Sequence, residues 1–230
     1  MSLHLFDIRC EEFQRVSEPL RIANPLGSIE FCFAVGRSNM TQSNATSCRL
    51  PNGNFAVSWE FPTCRAEGVC GRISPRIPAQ FAVEDCWARL WRVDARISIQ
   101  ELTGTAKWLP GYSWEESGPE SGQLLDAIAF ENHSWKLLIG TEGDEALAIR
   151  AGHSDWMPKR HLEMLNGSFV PGQYQKDGLT VRSPGLRPGE RSQVQFVVAW
   201  ERQAPECCAA WYAVEQSPDL ILKELLKEHV

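Results

Sequence analysis

Alternation of apolar and polar residues dominates this chain and predicts β-strands. The clearest stretches carry aromatic or β-branched residues at every second position, over residues 29–35, 55–61 and 194–200. Because successive side chains of a strand point to opposite faces, each stretch lays one apolar row on a buried face. Shorter stretches of the same kind predict further strands at 3–8, 124–130, 135–139, 146–150, 179–182 and 208–214.

Residues 81–99 fit two interpretations, a short helix leading into a strand or one long bent strand. The β-branched residues near the end of this segment favour a strand from about Arg92 onward. Longer polar stretches at 36–54, 62–80, 108–122 and 152–178 predict loops. Loops of this length in a compact β-domain are commonly functional.

Turn signals separate the predicted strands. Four Pro-Gly pairs begin at Pro110, Pro171, Pro184 and Pro188, and Pro-Gly provides the two central residues of a type II turn. The run from Asn52 to Asn54 looks like a hairpin turn. Many short strands with such turns predict an all-β, mainly antiparallel fold, a two-sheet β-sandwich formed by residues 1–230 as a single domain.

The C-terminal residues predict one amphipathic helix, over about 217–229. Ser217 is a capping residue, Pro218 suits the first helical position, and Asp219 suits the positive end of the helix dipole. An apolar stripe follows, with charged residues on the other face. We expect this short helix to pack on the sandwich, the alternative being a partner-binding tail.

The segment from Leu186 to Glu190, followed by residues 194–200, resembles the closing strand of sandwich domains in several carbohydrate-active proteins. In those domains a Leu-x-Pro-Gly-Glu turn introduces a strand that ends in Ala-Trp. The same turn also occurs in immunoglobulin-like modules without catalytic function. The resemblance therefore implies a sandwich and does not distinguish a sugar-related function from others.

Composition narrows the classes of partner and compartment. The chain is acidic, with 29 acidic against 23 basic residues, which argues against a nucleic-acid partner. No apolar run approaches the roughly 20 residues of a membrane span, and charges interrupt the start of the chain, so we predict a cytoplasmic protein without membrane association. We expect its eight cysteines to be mainly buried free thiols, including Cys32, rather than disulfides.

Aromatic residues in a polar loop give the leading candidate for a binding site. Of nine tryptophans, Trp108 and Trp114 lie with Tyr112 in a turn-rich loop, followed by Glu115 and Glu116. Aromatic rings can stack on a sugar or clamp an apolar ligand, and adjacent carboxylates can accept hydroxyl hydrogen bonds. The alternative is a loop that its own aromatics pin to the protein.

A second candidate site lies in the loop that spans residues 152–178. His153 and Asp155 share a face in extended backbone, Trp156 follows them, and His161 could fold back toward them. This set could form a site with two histidines and one carboxylate for a metal, or an acid–base pair. The alternative is that these residues have no catalytic role. Trp156 is included among the predicted ligand-binding residues.

A third group, Glu142, Asp144 and Glu145, falls in a predicted hairpin turn. Paired carboxylates can serve glycosidic acid–base chemistry or bind a hard cation. Acidic residues at a hairpin tip are more commonly just solvated, and we expect that here.

Motifs for nucleotide binding and for common hydrolases are absent from the sequence. We therefore predict a binding protein for a small molecule or a carbohydrate, with no cofactor other than a metal as a candidate. One alternative is a metal- or His/Asp-dependent enzyme on the same scaffold. A second alternative is a structural or interaction subunit, which would form homo-oligomers or bind a protein partner.

Overall fold

The computed structural model describes residues 2–6, 8–9, 21–40, 45–167, 169–204 and 208–227. Its strands, in chain order, are β1 (Ser2–Leu3), β2 (Ile8–Arg9), β3 (Arg21–Asn24), β4 (Gly27–Val35), β5 (Ser38–Met40), β6 (Thr46–Arg49), β7 (Phe55–Glu60), β8 (Cys64–Arg72), β9 (Asp85–Ala95), β10 (Ile99–Trp108), β11 (Glu116–Pro119), β12 (Leu125–Glu131), β13 (Trp135–Glu142), β14 (Gly172–Gln175), β15 (Gly178–Leu186) and β16 (Arg191–Arg202). The helices are α1 (Asp144–His153), α2 (His161–Leu165), α3 (Ala209–Val214) and α4 (Pro218–Leu226).

Two antiparallel sheets form the β-sandwich, which confirms the predicted fold class. One sheet has eight strands in the order β11-β12-β13-β16-β9-β8-β7-β6. The other has six strands, in the order β14-β15-β10-β4-β3 with β5 also paired to β4. Strands β1 and β2 pair with each other as a small two-stranded sheet joined through a turn, so the single strand predicted at 3–8 was wrong.

The main core lies between the two sheets and is built from large aromatic side chains. Trp91 of β9 stacks on Phe33 of β4, with ring centroids 4.9 Å apart. Phe196 of β16 meets the edge of Trp91 at 6.1 Å. Because β16 alternates, its even-numbered residues enter this core and its odd-numbered residues face the other side of the eight-stranded sheet.

Helices α3 and α4 cover part of this outer face of the eight-stranded sheet. As predicted, Ser217 caps α4, its hydroxyl accepting a hydrogen bond from the Leu220 backbone nitrogen. Side-chain amides of Asn52 and Asn54, in the predicted turn, donate to the Leu225 carbonyl at the other end of the helix, at 2.8 and 3.0 Å. The predicted end at 229 lies outside the described residues.

Several predicted elements were wrong. Residues 146–150 and 208–214 form helices α1 and α3 rather than strands, and the predicted loop at 62–80 contains the central strand β8. The loop predicted at 36–54 contains β5 and β6. In segment 81–99 no helix precedes the strand, which begins at Asp85 rather than near Arg92 and ends at Ala95. Of the Pro-Gly pairs, Gly111 and Gly189 have the positive φ of a turn, whereas the pair that begins at Pro184 lies inside β15.

Cysteine chemistry agrees only in part with the expectation of buried free thiols. Five cysteines remain thiols, of which Cys32 is exposed rather than buried in the core. Cys48, by contrast, is disulfide-bonded. Cys10 and Cys207 lie outside the described residues. Within the described ranges, no helix has the length and apolarity that crossing a membrane requires.

Candidate functional site

A cavity of about 560 Å³ opens on the outer face of the eight-stranded sheet. Strands β9, β13 and β16 form its floor, α1 and the residues after it form one wall, and the link from α3 into α4 forms the opposite wall. Its volume lies within the roughly 300–1,000 Å³ of small-molecule sites.

The floor of the cavity is polar because β16 carries glutamines, rather than apolar residues, on this part of its outer face. Gln193 and Gln195 point into the cavity side of the sheet, while Val194 and Phe196 between and after them enter the main core. The Gln193 amide nitrogen donates to Gln195 Oε1 at 3.3 Å. Thr141 of β13 donates to the Gln195 carbonyl at 2.7 Å, which fixes the two strands at this point.

Arg92 of β9 is a buried cation in this floor, with only 8% of its surface exposed. Its Nε donates to Gln193 Oε1 at 2.9 Å, and its Nη1 donates to the Leu5 carbonyl at 2.8 Å. The guanidinium lies against the rings of Trp156 and Phe6, at 4.0 and 4.8 Å from their centroids. Burial lowers the pKa of Arg92 to about 10, so it stays charged at neutral pH.

Glu142 and Arg150 form a buried ion pair beside Arg92. Arg150 Nη2 lies 3.0 Å from Glu142 Oε2, and both side chains are only 7% exposed. Arg150 also donates to the carbonyls of Gln193 and Trp156, at 2.9 and 3.2 Å. Burial raises the pKa of Glu142, the Arg150 charge lowers it, and the Asp219 charge raises it further.

This pair corrects the expectation of a solvated hairpin tip. Glu142 ends β13, whereas Asp144 and Glu145 begin α1, where acidic side chains stabilise the positive end of the helix dipole. Arg150 lies two turns later in α1 and reaches back to Glu142. Of these three acidic residues, Asp144 and Glu145 are exposed and Glu142 is buried.

The mouth of the cavity carries further acidic groups. Asp155 and Asp219 are exposed on opposite walls, and Glu215 is partly buried between α3 and α4. Burial raises the pKa of Glu215. His153, the last residue of α1, is also exposed at this mouth.

Of the residues predicted in the 152–178 segment, the structure places His153, Asp155 and Trp156 on the cavity and His161 elsewhere. A small apolar cluster that includes Leu147, Leu165 and Met157 packs α1 against α2 and sets this wall. The Ser154 hydroxyl accepts a hydrogen bond from the Trp156 backbone nitrogen at 3.1 Å, which turns the chain after α1.

His161 is the first residue of α2, and its fully buried side chain does not line the cavity. Its Nε2 lies 3.0 Å from the Gly185 carbonyl oxygen, and its Nδ1 has no hydrogen-bond partner. Burial lowers the pKa of His161, which favours the neutral imidazole. In the part of the chain that is described, no three or more His, Cys, Asp or Glu side chains come together as a metal site would require.

The 108–118 loop lies against the main core and not at the cavity. Trp108 is 3% exposed and meets the edge of Phe130 at 5.3 Å between centroids. Trp114 packs on the same Phe130 at 5.1 Å, and Tyr112 stacks on Trp114 at 4.4 Å. Tyr112, Glu115 and Glu116 are exposed. A ligand-binding role for these residues stays a prediction.

The sequence reasoning missed Arg92, Arg150 and the two glutamines of the floor. A signal was present for the glutamines, because Gln193 and Gln195 occupy alternate positions of an otherwise apolar strand. Such a pattern predicts a strand with one apolar face and one polar face. For Arg92 and Arg150 no local pattern separates a buried arginine from an exposed one.

The comparisons with known proteins inform only the fold. No protein-family model matches the chain, and no curated protein matches it. Among solved structures, the chain is similar to a protein described as a kojibiose phosphorylase from the human microbiome, with a TM-score of 0.50 and 6% identity over 87% of this chain. The likeness covers only 27% of that protein's chain. At this identity it supports the sandwich architecture and nothing finer.

Proposed function

We propose that this protein binds a small polar ligand, with a carbohydrate as the class to test first, in the cavity on the outer face of the eight-stranded sheet. The cavity itself carries the proposal, because its volume of about 560 Å³ suits a mono- or disaccharide-sized molecule. Its floor is held by hydrogen bonds within rigid strands, which favours a preformed site.

The lining offers what a polyhydroxylated ligand requires. Hydroxyl groups both donate and accept hydrogen bonds, and the cavity supplies donors from Gln195 and Arg92 and acceptors from Asp155 and Asp219. Val197 adds apolar surface for the carbon face of a ring. A few polar groups on a partly apolar lining are typical of ligand pockets.

The fold likeness shows the architecture alone, and we use it only to choose which class of polar ligand to test first. The similar protein is described as a kojibiose phosphorylase, a name that refers to a disaccharide. This chain corresponds to about a quarter of that protein, so its activity is not carried over. A catalytic role for His153, Asp155 or His161 likewise stays a prediction.

The experiment is a thermal-shift screen followed by calorimetric titration. The panel contains D-glucose, kojibiose, D-glucuronate and glucose 6-phosphate. We expect at least one of them to raise Tm and to lose its effect in Gln195→Leu, which removes the floor amide. Gln100→Leu is the matched control, because Gln100 is exposed on the six-stranded sheet away from the cavity.

Two results would contradict the proposal. If no sugar of the panel binds, the carbohydrate assignment fails and the interaction-subunit alternative takes its place. If a sugar binds equally to wild type and to Gln195→Leu but is lost in Tyr112→Ala, the site is the 108–118 loop as the sequence alone suggested.

The predicted cytoplasmic location is supported by the five cysteines that remain thiols and opposed by the disulfide of Cys48. Alkylation of the protein in its own cells before lysis tests it by intact mass. A reduced chain takes eight alkyl groups, one for each cysteine. A chain with one disulfide takes two fewer, and that result would refute a reducing compartment.

A further inference from the structure

Arg92 is a buried charge that lacks an ion-pair partner. Among the described residues, no carboxylate oxygen lies within 4.0 Å of its guanidinium, although only 8% of the residue is exposed. Removing an arginine from water without a counter-ion is costly. Buried charges of this kind are normally paired, so the floor of the cavity has a positive group that no carboxylate of the described residues contacts, and only the more distant charges of Asp219 and Glu67 act on it.

The neighbouring charged groups are already engaged. Glu67, on the adjacent strand β8, accepts hydrogen bonds from Arg65 at 2.7 Å and from the backbone nitrogens of His4 and Leu5. Arg150 and Glu142 neutralise each other. Asp219 acts on Arg92 only at a distance, as an exposed charge at the mouth.

The hydrogen-bonding groups of the floor point to the same conclusion. Arg92 uses Nε and Nη1 within the protein, and its Nη2 has no hydrogen-bond partner in the described part of the chain. Gln195 accepts a hydrogen bond from Gln193 through its side-chain oxygen, and among the described residues its amide nitrogen has no acceptor. The floor therefore presents donors and a positive charge.

We propose that Arg92 binds an anionic oxygen group of the ligand, so that the carbohydrate of the proposed function is an acidic one. The group is a carboxylate, as in a uronic acid, or a phosphate, as in a sugar phosphate. Guanidinium groups bind both through charge-assisted hydrogen bonds. This inference rests on the proposed function and assigns the orientation of the ligand within the cavity, with its anionic group at the floor.

The acidic mouth is compatible with this orientation. Asp155 and Asp219 are exposed, so water and salt screen their charges. They would meet the neutral hydroxyl end of the ligand as hydrogen-bond acceptors. At the floor, the rings of Trp156 and Phe6 flank the Arg92 guanidinium and limit its contact with water, which strengthens its attraction for an anion.

The test compares D-glucuronate, glucose 6-phosphate and D-glucose by isothermal titration calorimetry. We expect at least one acidic sugar to bind about 10-fold or more tightly than glucose, as a charge-assisted contact implies. Arg92→Gln should weaken binding of that acidic sugar about 10- to 100-fold and change glucose binding by no more than about twofold. Arg92→Lys, which keeps the charge without the planar fork, should fall between.

Arg191→Gln is the control, because Arg191 also lies near Trp156, at 5.6 Å, yet does not line the cavity. It should bind acidic sugars as wild type does. If Arg92→Gln fails to fold, as circular dichroism would show, the wild-type comparison still decides. The preferred acidic sugar identifies the anion as carboxylate or phosphate.

The titrations distinguish a failure of the Arg92 assignment from a failure of the proposed function. If glucose binds as tightly as both acidic sugars, the assignment of Arg92 is overturned while the proposed function stands. If no sugar binds at all, the proposed function fails and this inference fails with it.

Discussion

Replacing Arg150 by methionine tests whether the buried ion pair holds the cavity together. The substitution keeps an unbranched apolar stem and removes the guanidinium group, with its charge and its donors. Glu142 then loses the partner 3.0 Å away, while its side chain remains 7% exposed. The carbonyls of Gln193 and Trp156 lose their donors as well.

The expected loss follows from these contacts. Breaking a buried ion pair by removing one partner costs about 3–5 kcal/mol, because the remaining charge stays buried. For a domain of this size, each 1 kcal/mol lowers Tm by about 2–4 °C. We therefore expect Tm to fall by about 6–20 °C.

The loss should also depend on pH. Burial raises the pKa of Glu142 in the folded protein, and Arg150 opposes that rise. Removing Arg150 therefore raises the folded pKa further above the unfolded value, and the stability linked to this proton is lost as pH rises through the folded pKa. The variant should lose more stability at about pH 8 than at about pH 5.

The pH dependence of the loss is measured by urea unfolding at both pH values. The proteins compared are wild type, Arg150→Met and Glu142→Gln/Arg150→Met. In the double variant no carboxylate remains at position 142, so the decrease in its free energy of unfolding relative to wild type should vary less with pH. If Tm falls by less than about 3 °C, and equally at both pH values, the ion pair contributes little to the stability of the fold.

Three further predictions concern the scaffold. Gly185→Ala would place a methyl group about 2.3 Å from carbonyl oxygens of β10, so urea unfolding should show a loss of about 1–3 kcal/mol or more. Trp108→Ala, at a 3% exposed position, should cost about 3–5 kcal/mol by the same assay. The exposed Tyr112→Ala should cost only the roughly 0.5–1.5 kcal/mol of its stack on Trp114, and equal losses would contradict this placement of the loop. Ser217→Ala should lower stability by about 0.5–2 kcal/mol through the lost cap of α4, and Ser217→Asp should retain it in thermal melts.

The strands with alternating or β-branched apolar residues were predictable from the sequence, and β8 was not. The sequence predicts a loop at β8, since this segment is polar and contains Gly68 and Gly71, and glycine has low β-propensity. In the structure Trp91 and Asn54 occupy the space beside these glycines. A Cβ atom at Gly68 would lie 2.9 Å from Trp91, and one at Gly71 would lie 1.8 Å from Asn54. Small residues there accommodate large neighbours that are distant in sequence, and this is invisible along the chain.

Helices α1 and α3 were predicted as strands for two different reasons. The acidic residues Asp144 and Glu145 and the alanines that follow are a helix signal that outweighs the apparent alternation at 146–150. Helix α3 depends on Glu201 of β16, whose carboxylate accepts hydrogen bonds from the Ala209 and Ala210 nitrogens, at 3.1 and 3.0 Å. A cap supplied by another element cannot be read from a local pattern.

The residues of the cavity also differ in how far the sequence could predict them. His153, Asp155 and Trp156 are close in sequence and reach the cavity together. Arg92 and Gln193 are 101 residues apart and meet only because β9 pairs with β16. Floors built across paired strands depend on sheet order, which the sequence does not reveal.

The most direct test of the cavity as a binding site is a crystal structure of the protein grown with D-glucuronate. We expect the sugar in the cavity on the outer face of the eight-stranded sheet, with its carboxylate within hydrogen-bond distance of Arg92. A sugar bound instead on the 108–118 loop, with the cavity filled only by water, would contradict it.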